Sequence, residues 1–208
     1  DLRMIDFILH IEPQLAGFFA AHGTVTYSLL AAIIFAETGL VFTPFLPGDS
    51  LLFTAGALAA VTTLHPGLLW LTLTVAAIIG DNTNYWLGRF FGDRLATSRF
   101  ISQQYLKKAH TFYEKHGPVM IVIARFIPLV RTFAPFVAGV SKMSYLNKFL
   151  PYSIAGGGLW IAIFVFGGYL FGNLPFVQAN FGLVILAIMV LSLVPAVVEF
   201  LRTKNHQE

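Results

Sequence analysis

Cysteine is absent from this 208-residue chain, which excludes disulfides, thiolate nucleophiles and cysteine-bound metals and leaves the redox compartment open. Charge is scarce. Asp, Glu, Lys and Arg make up 11% of the residues, where a soluble domain approaches about a quarter. Fifty consecutive residues, Phe149 to Val198, contain none of the four. The six histidines (His10, His22, His65, His110, His116 and His206) show no metal-ligand spacing such as HExxH, so neither a metal nor a cofactor is expected. No His lies in either of the two proline-broken hairpins, 24–61 and 118–141. A phosphatase would want a nucleophile there, so the chain is read as not an enzyme. There is no low-complexity linker, and the opening "DLRMIDFILHIEPQL" has no signal-peptide cleavage pattern.

What remains is apolar: 57% of the chain is hydrophobic and 15% aromatic. About twenty apolar residues cross a bilayer as a helix, so the uncharged run alone holds two spans. The reading is an all-α, polytopic membrane protein forming one domain over 1–208. Its net charge of +3 comes from basic residues in short loops, which is topology rather than a nucleic-acid face.

Along the chain, residues 4–21 read as an amphipathic or interfacial helix interrupted by Asp6, Glu12 and Pro13. Residues 24–61 form a first hairpin. Its limbs, 24–43 and 50–61, are separated by "TPFLPGDS" (43–50), where Pro44, Pro47 and Gly48 break the helix. A span follows over 68–88, and then a basic surface segment from Arg89 to Lys115. The second hairpin covers 118–141, turning near Pro128–Pro135, and spans at 149–172 and 181–200 complete the chain. Arg89, Arg94, Arg99, Lys107, Lys108 and Lys115 precede the second hairpin, while Lys142 and Lys148 follow it. The positive-inside rule puts both flanks in the cytoplasm, so the segment is re-entrant. Loops without Lys or Arg flank the first hairpin, which therefore enters from outside.

An internal repeat accompanies this symmetry. "FTAGA" (53–57) answers "FVAGV" (136–140), and "GRFFG" (88–92) answers "GYLFG" (168–172). One crossing span between the hairpins makes the second copy inverted, an architecture of transporters. The small-xxx-small pairs and "GGG" (156–158) read as packing surfaces. Trp70, Trp86 and Trp160 read as packing or interfacial anchors.

The stretch "ARFIPLVRTFAPF" (124–136) places Arg125 and Arg131 in an uncharged apolar run. On an unbroken helix they would lie about 240° apart, with one facing lipid. A break at Pro128 lets both face a protein interior, where unwound backbone can be satisfied. Counter-charges come from Glu37 and Asp49 on either side of the first turn, with Asp81 of the next span as a secondary candidate. A guanidinium keeps its charge and binds phosphate bidentately, so the pair suits a phosphorylated headgroup. The competing reading of these charges is a set of structural salt bridges, and for Asp81 that reading weighs at least as much.

At "FAETGL", "PFLPGDS", "GDNTNYWLGRFFG" and "ARFIPLVRTFAPFVAG" the sequence resembles the DedA family of bacterial inner-membrane proteins, related to eukaryotic proteins with a SNARE-associated (VTT) domain. The resemblance covers all but roughly 1–20 and 200–208. It implies two re-entrant hairpins in an inverted repeat and a multi-pass protein of the inner membrane. It also implies transport of undecaprenyl phosphate or phospholipids, driven in some members by the proton-motive force. The family's essential acidic pair matches Glu37 and Asp49, and its essential arginines match Arg125 and Arg131. The expectation is a flippase for lipid-linked phosphate, coupled to protons. In it the arginines bind the headgroup and rest against Glu37 and Asp49. A small-cation/proton antiporter and a passive phospholipid scramblase are the alternatives, and a homodimer is compatible with all three.

Overall fold

In a computed structural model of the protein, residues 23–39, 48–97 and 117–175 are described. The expected interfacial helix 4–21, most of "TPFLPGDS", most of the basic surface segment and the span 181–200 lie outside them.

All elements among the described residues are helical. Helix α1 covers Gly23–Gly39 and α2 covers Gly48–Val61. Asp49 stands in the first turn of α2, where the helix dipole favours an acid. The end of α2 is closed by Thr62, whose hydroxyl donates to the Leu58 carbonyl at 2.7 Å. Pro66 then opens α3, Pro66–Thr97, at the position where a missing N–H costs nothing. The sequence suggested a span ending at residue 88 and a separate surface segment from Arg89. Instead α3 runs through this boundary without a break, because "GRFFGDRLAT" contains no proline and its glycines alone do not end a helix.

Helix α4 is short, Val119–Ala124, and α5 covers Pro128–Val140; the two pack together. Between them the backbone tightens, with Phe126 and Ile127 donating to carbonyls three residues back at 3.1 Å each. Ile127 is extended (φ −115°, ψ 106°), and Pro128 restarts the helix, in keeping with the preference of residues before proline. The break therefore falls at Arg125–Ile127. Pro135, expected to share in the turn, lies inside α5; it removes one backbone bond without ending the helix. Lys142 adopts a left-handed conformation (φ 56°) after α5, and Met143 N–H closes back on the Ala138 carbonyl at 3.1 Å, as in a Schellman cap. A π-helical turn, Tyr145–Phe149, leads into α6, Leu150–Gly172. Together they make 28 continuous helical residues, apolar on the whole, about 42 Å of helix and enough to cross a bilayer. Only 33% of the apolar window is buried within the protein, so most of this helix faces outward.

The distribution of side chains is that of a membrane protein. Phe126, Val130 and Phe133 are exposed, while Arg131 and Thr132 between them are buried. Water would reverse that arrangement; hydrocarbon favours it.

Contacts divide the chain into two compact units, Asp1–Ala31 with Pro47–Leu73 and Ile161–Glu208, and Ala32–Leu46 with Thr74–Trp160. In the first, a Cβ on Gly56 would fall on the Val165 carbonyl and one on Gly168 on the Phe53 carbonyl, so α2 and α6 touch backbone to backbone. Trp70 and Phe166 pack nearby in that unit, ring centroids 6.5 Å apart. In the second, Gly139 of α5 lies on the Tyr85 carbonyl and Gly88 of α3 on the Phe136 carbonyl. Tyr85, Ile121, Ala138, Met143 and Phe149 form the core beside that contact.

Candidate functional site

The second unit gathers four charged side chains in its interior. Glu37 is 1% exposed, Asp81 2%, Arg125 4% and Arg131 8%. Arg131, in the first turn of α5, is ion-paired with Glu37 near the end of α1. Arg125, closing α4, is ion-paired with Asp81 in the middle of α3. Two positive and two negative charges sum to zero, the condition under which an apolar interior tolerates ions at all.

The surroundings of the two arginines differ. The Arg131 guanidinium stacks over the Trp160 ring at 4.7 Å, a cation–π contact that gains strength when desolvated. Arg125 Nη2 donates also to the Ser153 carbonyl and hydroxyl oxygens, both at 3.3 Å. Ser153 Oγ–H donates in turn to Asp81 Oδ2 at 2.6 Å, the same oxygen that receives Arg125. The stem of Arg125 lies along α6 where Gly156 and Gly157 stand. A Cβ on Gly156 would come within 3.2 Å of Arg125 Nε, and one on Gly157 within 3.3 Å of Nη2.

Asn84, one turn beyond Asp81, donates to the Thr38 carbonyl at 2.7 Å and to the Thr132 carbonyl at 3.2 Å. It ties together the three helices that carry Glu37, Asp81 and Arg131. Asn82 bonds within α3, to the Ile78 carbonyl at 2.7 Å, and accepts from the Tyr145 hydroxyl at 2.8 Å.

Of the residues singled out from sequence, the structure brings Glu37, Asp81, Arg125 and Arg131 into one unit. Asp49 is half-buried at the start of α2 in the other. The resting arrangement expected was both arginines against Glu37 and Asp49. Arg131 does rest against Glu37, but the carboxylate on Arg125 is Asp81, the residue ranked second. Ser153, Gly156, Gly157 and Trp160 were missed or read as packing alone. A signal existed, since they recur at helical spacing (i, i+3, i+4, i+7) as the one face of α6 that mixes small, polar and indole side chains.

Helices arranged with apolar side chains outward and ion pairs inward define an α-helical membrane protein. A family model described as the VTT domain matches residues 46–170. The chain is 50% identical over 207 residues to the protein DedA of Escherichia coli K12, covering 97% of this chain and 94% of that one. It is 44% identical over 197 residues to an uncharacterized membrane protein of Mycobacterium leprae, covering 93% and 86% of the two chains. It is also 35% identical over 173 residues to the inner membrane protein YqjA of Escherichia coli K12, covering 82% and 75%. No solved structure matches the chain. The chain belongs to the DedA family, and the relatives named as inner membrane proteins support a bacterial inner-membrane location.

Proposed function

We propose that the protein is a flippase that moves a lipid-linked phosphate, undecaprenyl phosphate before other lipids, across the bacterial inner membrane with its movement coupled to protons. One observation carries this reading: two arginines stand on either side of a helix break, each buried and each clasped by a carboxylate. A guanidinium cannot discard its charge, so an arriving phosphate can take it only by displacing the carboxylate. The displaced carboxylate, left in apolar surroundings, then takes up a proton. Headgroup movement and proton movement are thereby coupled.

The element lengths support a re-entrant path. Helices α4 and α5, with 6 and 13 residues, extend about 9 and 20 Å, short of the roughly 30 Å of hydrocarbon. Helix α2 has 14 residues and is also too short. The paired glycine contacts support an internal repeat. In that reading Glu37 and Asp49 serve proton coupling, and Asp81 joins them as the carboxylate on Arg125.

The test is leaflet-resolved transport of undecaprenyl phosphate in proteoliposomes, with and without an inward proton gradient. The gradient should accelerate the wild-type protein, and Glu37→Gln or Asp49→Asn should abolish the acceleration. Arg125→Lys and Arg131→Lys keep the charge but lose the planar fork, so each should transport poorly while remaining folded. Wild-type rates in both lysine variants would overturn the phosphate reading. Equal rates with and without the gradient would leave a passive path.

A further inference from the structure

The face of α6 that meets the arginines has more chemistry than packing requires. Ser153, Gly156, Gly157 and Trp160 are all buried and lie in one stripe. Trp160 covers Arg131, whereas the other three border Arg125. Small residues alone would say only that α6 packs closely. Two further observations point to a ligand. Among the described residues, nothing accepts a hydrogen bond from Arg125 Nε, although this donor is buried and the side chain is 4% exposed. That unsatisfied donor borders Gly156, where no side chain stands. Native interiors seldom leave a charged donor without an acceptor.

The second observation is the double role of the Ser153 hydroxyl. It donates to Asp81 Oδ2 at 2.6 Å and accepts from Arg125 Nη2 at 3.3 Å. If an anion takes Arg125, Asp81 loses its cation but not its hydroxyl donor. A buried carboxylate stripped of every partner is prohibitively costly, while one that keeps a short hydrogen bond is less so.

Resting on the reading of Arg125 as a phosphate-binding residue, we propose that Ser153 is a positioning residue for ligand exchange. Its hydroxyl keeps Asp81 hydrogen-bonded once a phosphate monoester has taken Arg125, and Arg125 Nε, packed against Gly156 and without an acceptor at rest, supplies a further donor for a phosphate oxygen. Arg125 is thus the guanidinium that changes partner, and its exchange depends on a hydroxyl of a different helix.

The experiment measures binding of radiolabelled farnesyl phosphate to the purified full-length protein in detergent, with farnesol as the control lacking the headgroup. Inorganic phosphate as competitor tells a lipid-bound phosphate from a free one. Ser153→Ala should weaken binding by about tenfold, the order of one hydrogen bond to a charged group. In an Asp81→Asn background there is no carboxylate to stabilise, so the same substitution should change binding less than about twofold. Gly157→Ala should weaken binding in both backgrounds, because its methyl group narrows the guanidinium edge whatever stands at position 81. Ser153→Cys, which keeps the volume but donates only weakly, should follow Ser153→Ala and serves if the alanine variant does not fold. A merely structural serine would lower thermal stability equally in both backgrounds and leave affinity unchanged, and that result would overturn the proposal. Failure of the wild-type protein to bind farnesyl phosphate better than farnesol would instead remove the phosphate reading beneath it.

Discussion

In the first unit Gly56 of α2 lies on the Val165 carbonyl and Gly168 of α6 on the Phe53 carbonyl; in the second, Gly139 of α5 lies on the Tyr85 carbonyl and Gly88 of α3 on the Phe136 carbonyl. The contacts correspond residue by residue. A phenylalanine and a glycine one turn apart on a short helix meet a glycine, and the residue three before it, on a long helix. Two helical turns before the long-helix glycine the correspondence ends. There α6 has Ile161 and α3 has Asp81, both buried. The glycine contact sets how closely two helices approach and is indifferent to what lies further along them. At that position one unit has an apolar side chain and the other an ion-paired aspartate, so the packing motif and the chemistry are separable.

Separability predicts its largest effect at the ion pair. Asp81→Ala leaves Arg125 buried without its carboxylate and should destabilise the protein by about 3–5 kcal/mol. Replacing both partners with apolar residues, Asp81→Leu with Arg125→Met, should recover most of that loss in thermal melting while transport stays abolished. Recovery of transport together with stability would mean that the pair is only structural.

The glycine contacts come next. Gly56→Ala and Gly139→Ala each drive a methyl group into a neighbouring carbonyl and should cost about 1–3 kcal/mol. If the two contacts are equivalent, the losses should agree within about 1 kcal/mol, the scale on which overpacking varies with relaxation. A much larger loss in one would show that the two units do not rely on the contact equally.

A smaller loss is expected at Trp160. Trp160→Leu keeps an apolar side chain of reduced size over Arg131 and removes the cation–π contact, itself about 1–2 kcal/mol in a desolvated site. Transport should fall more than stability does, because Arg131 loses the surface that orients it. The least effect should come from Tyr145→Phe, which deletes the hydroxyl bond to Asn82 in the half-buried π-helical turn and should cost about 1 kcal/mol. Transport by that variant should remain near wild type.

Much of this was legible in the sequence. Scarcity of charge and an uncharged run of fifty residues decide that the protein belongs in a bilayer, because solvation of the whole surface is at stake and no detail of packing can reverse it. The break beside Arg125 was legible for a local reason: Pro128 disfavours helical backbone in the residue before it, and Ile127 is extended. Pro135 misled, because a proline within a helix costs one bond but ends it only when tertiary packing does not hold the turn together. The kinship of Phe53 and Gly56 with Phe136 and Gly139 was visible as a repeat, but which helix each would touch was not.

What the sequence determined by itself is therefore the solvent, the local breaks and the inventory of buried charge, each fixed by interactions within a few residues or by composition. The tertiary structure alone decided which carboxylate holds which arginine. Charge alone does not choose among Glu37, Asp49 and Asp81, and the pairing of Arg125 with Asp81 follows from where α3 and α4 meet, with Gly80 beside Asp81 letting α3 approach Thr38 and Gly39 of α1 closely. It decided also that Ser153 and two glycines matter. A hydroxyl and a missing side chain carry no charge to announce themselves, and acquire a role only when another helix lays a guanidinium across them.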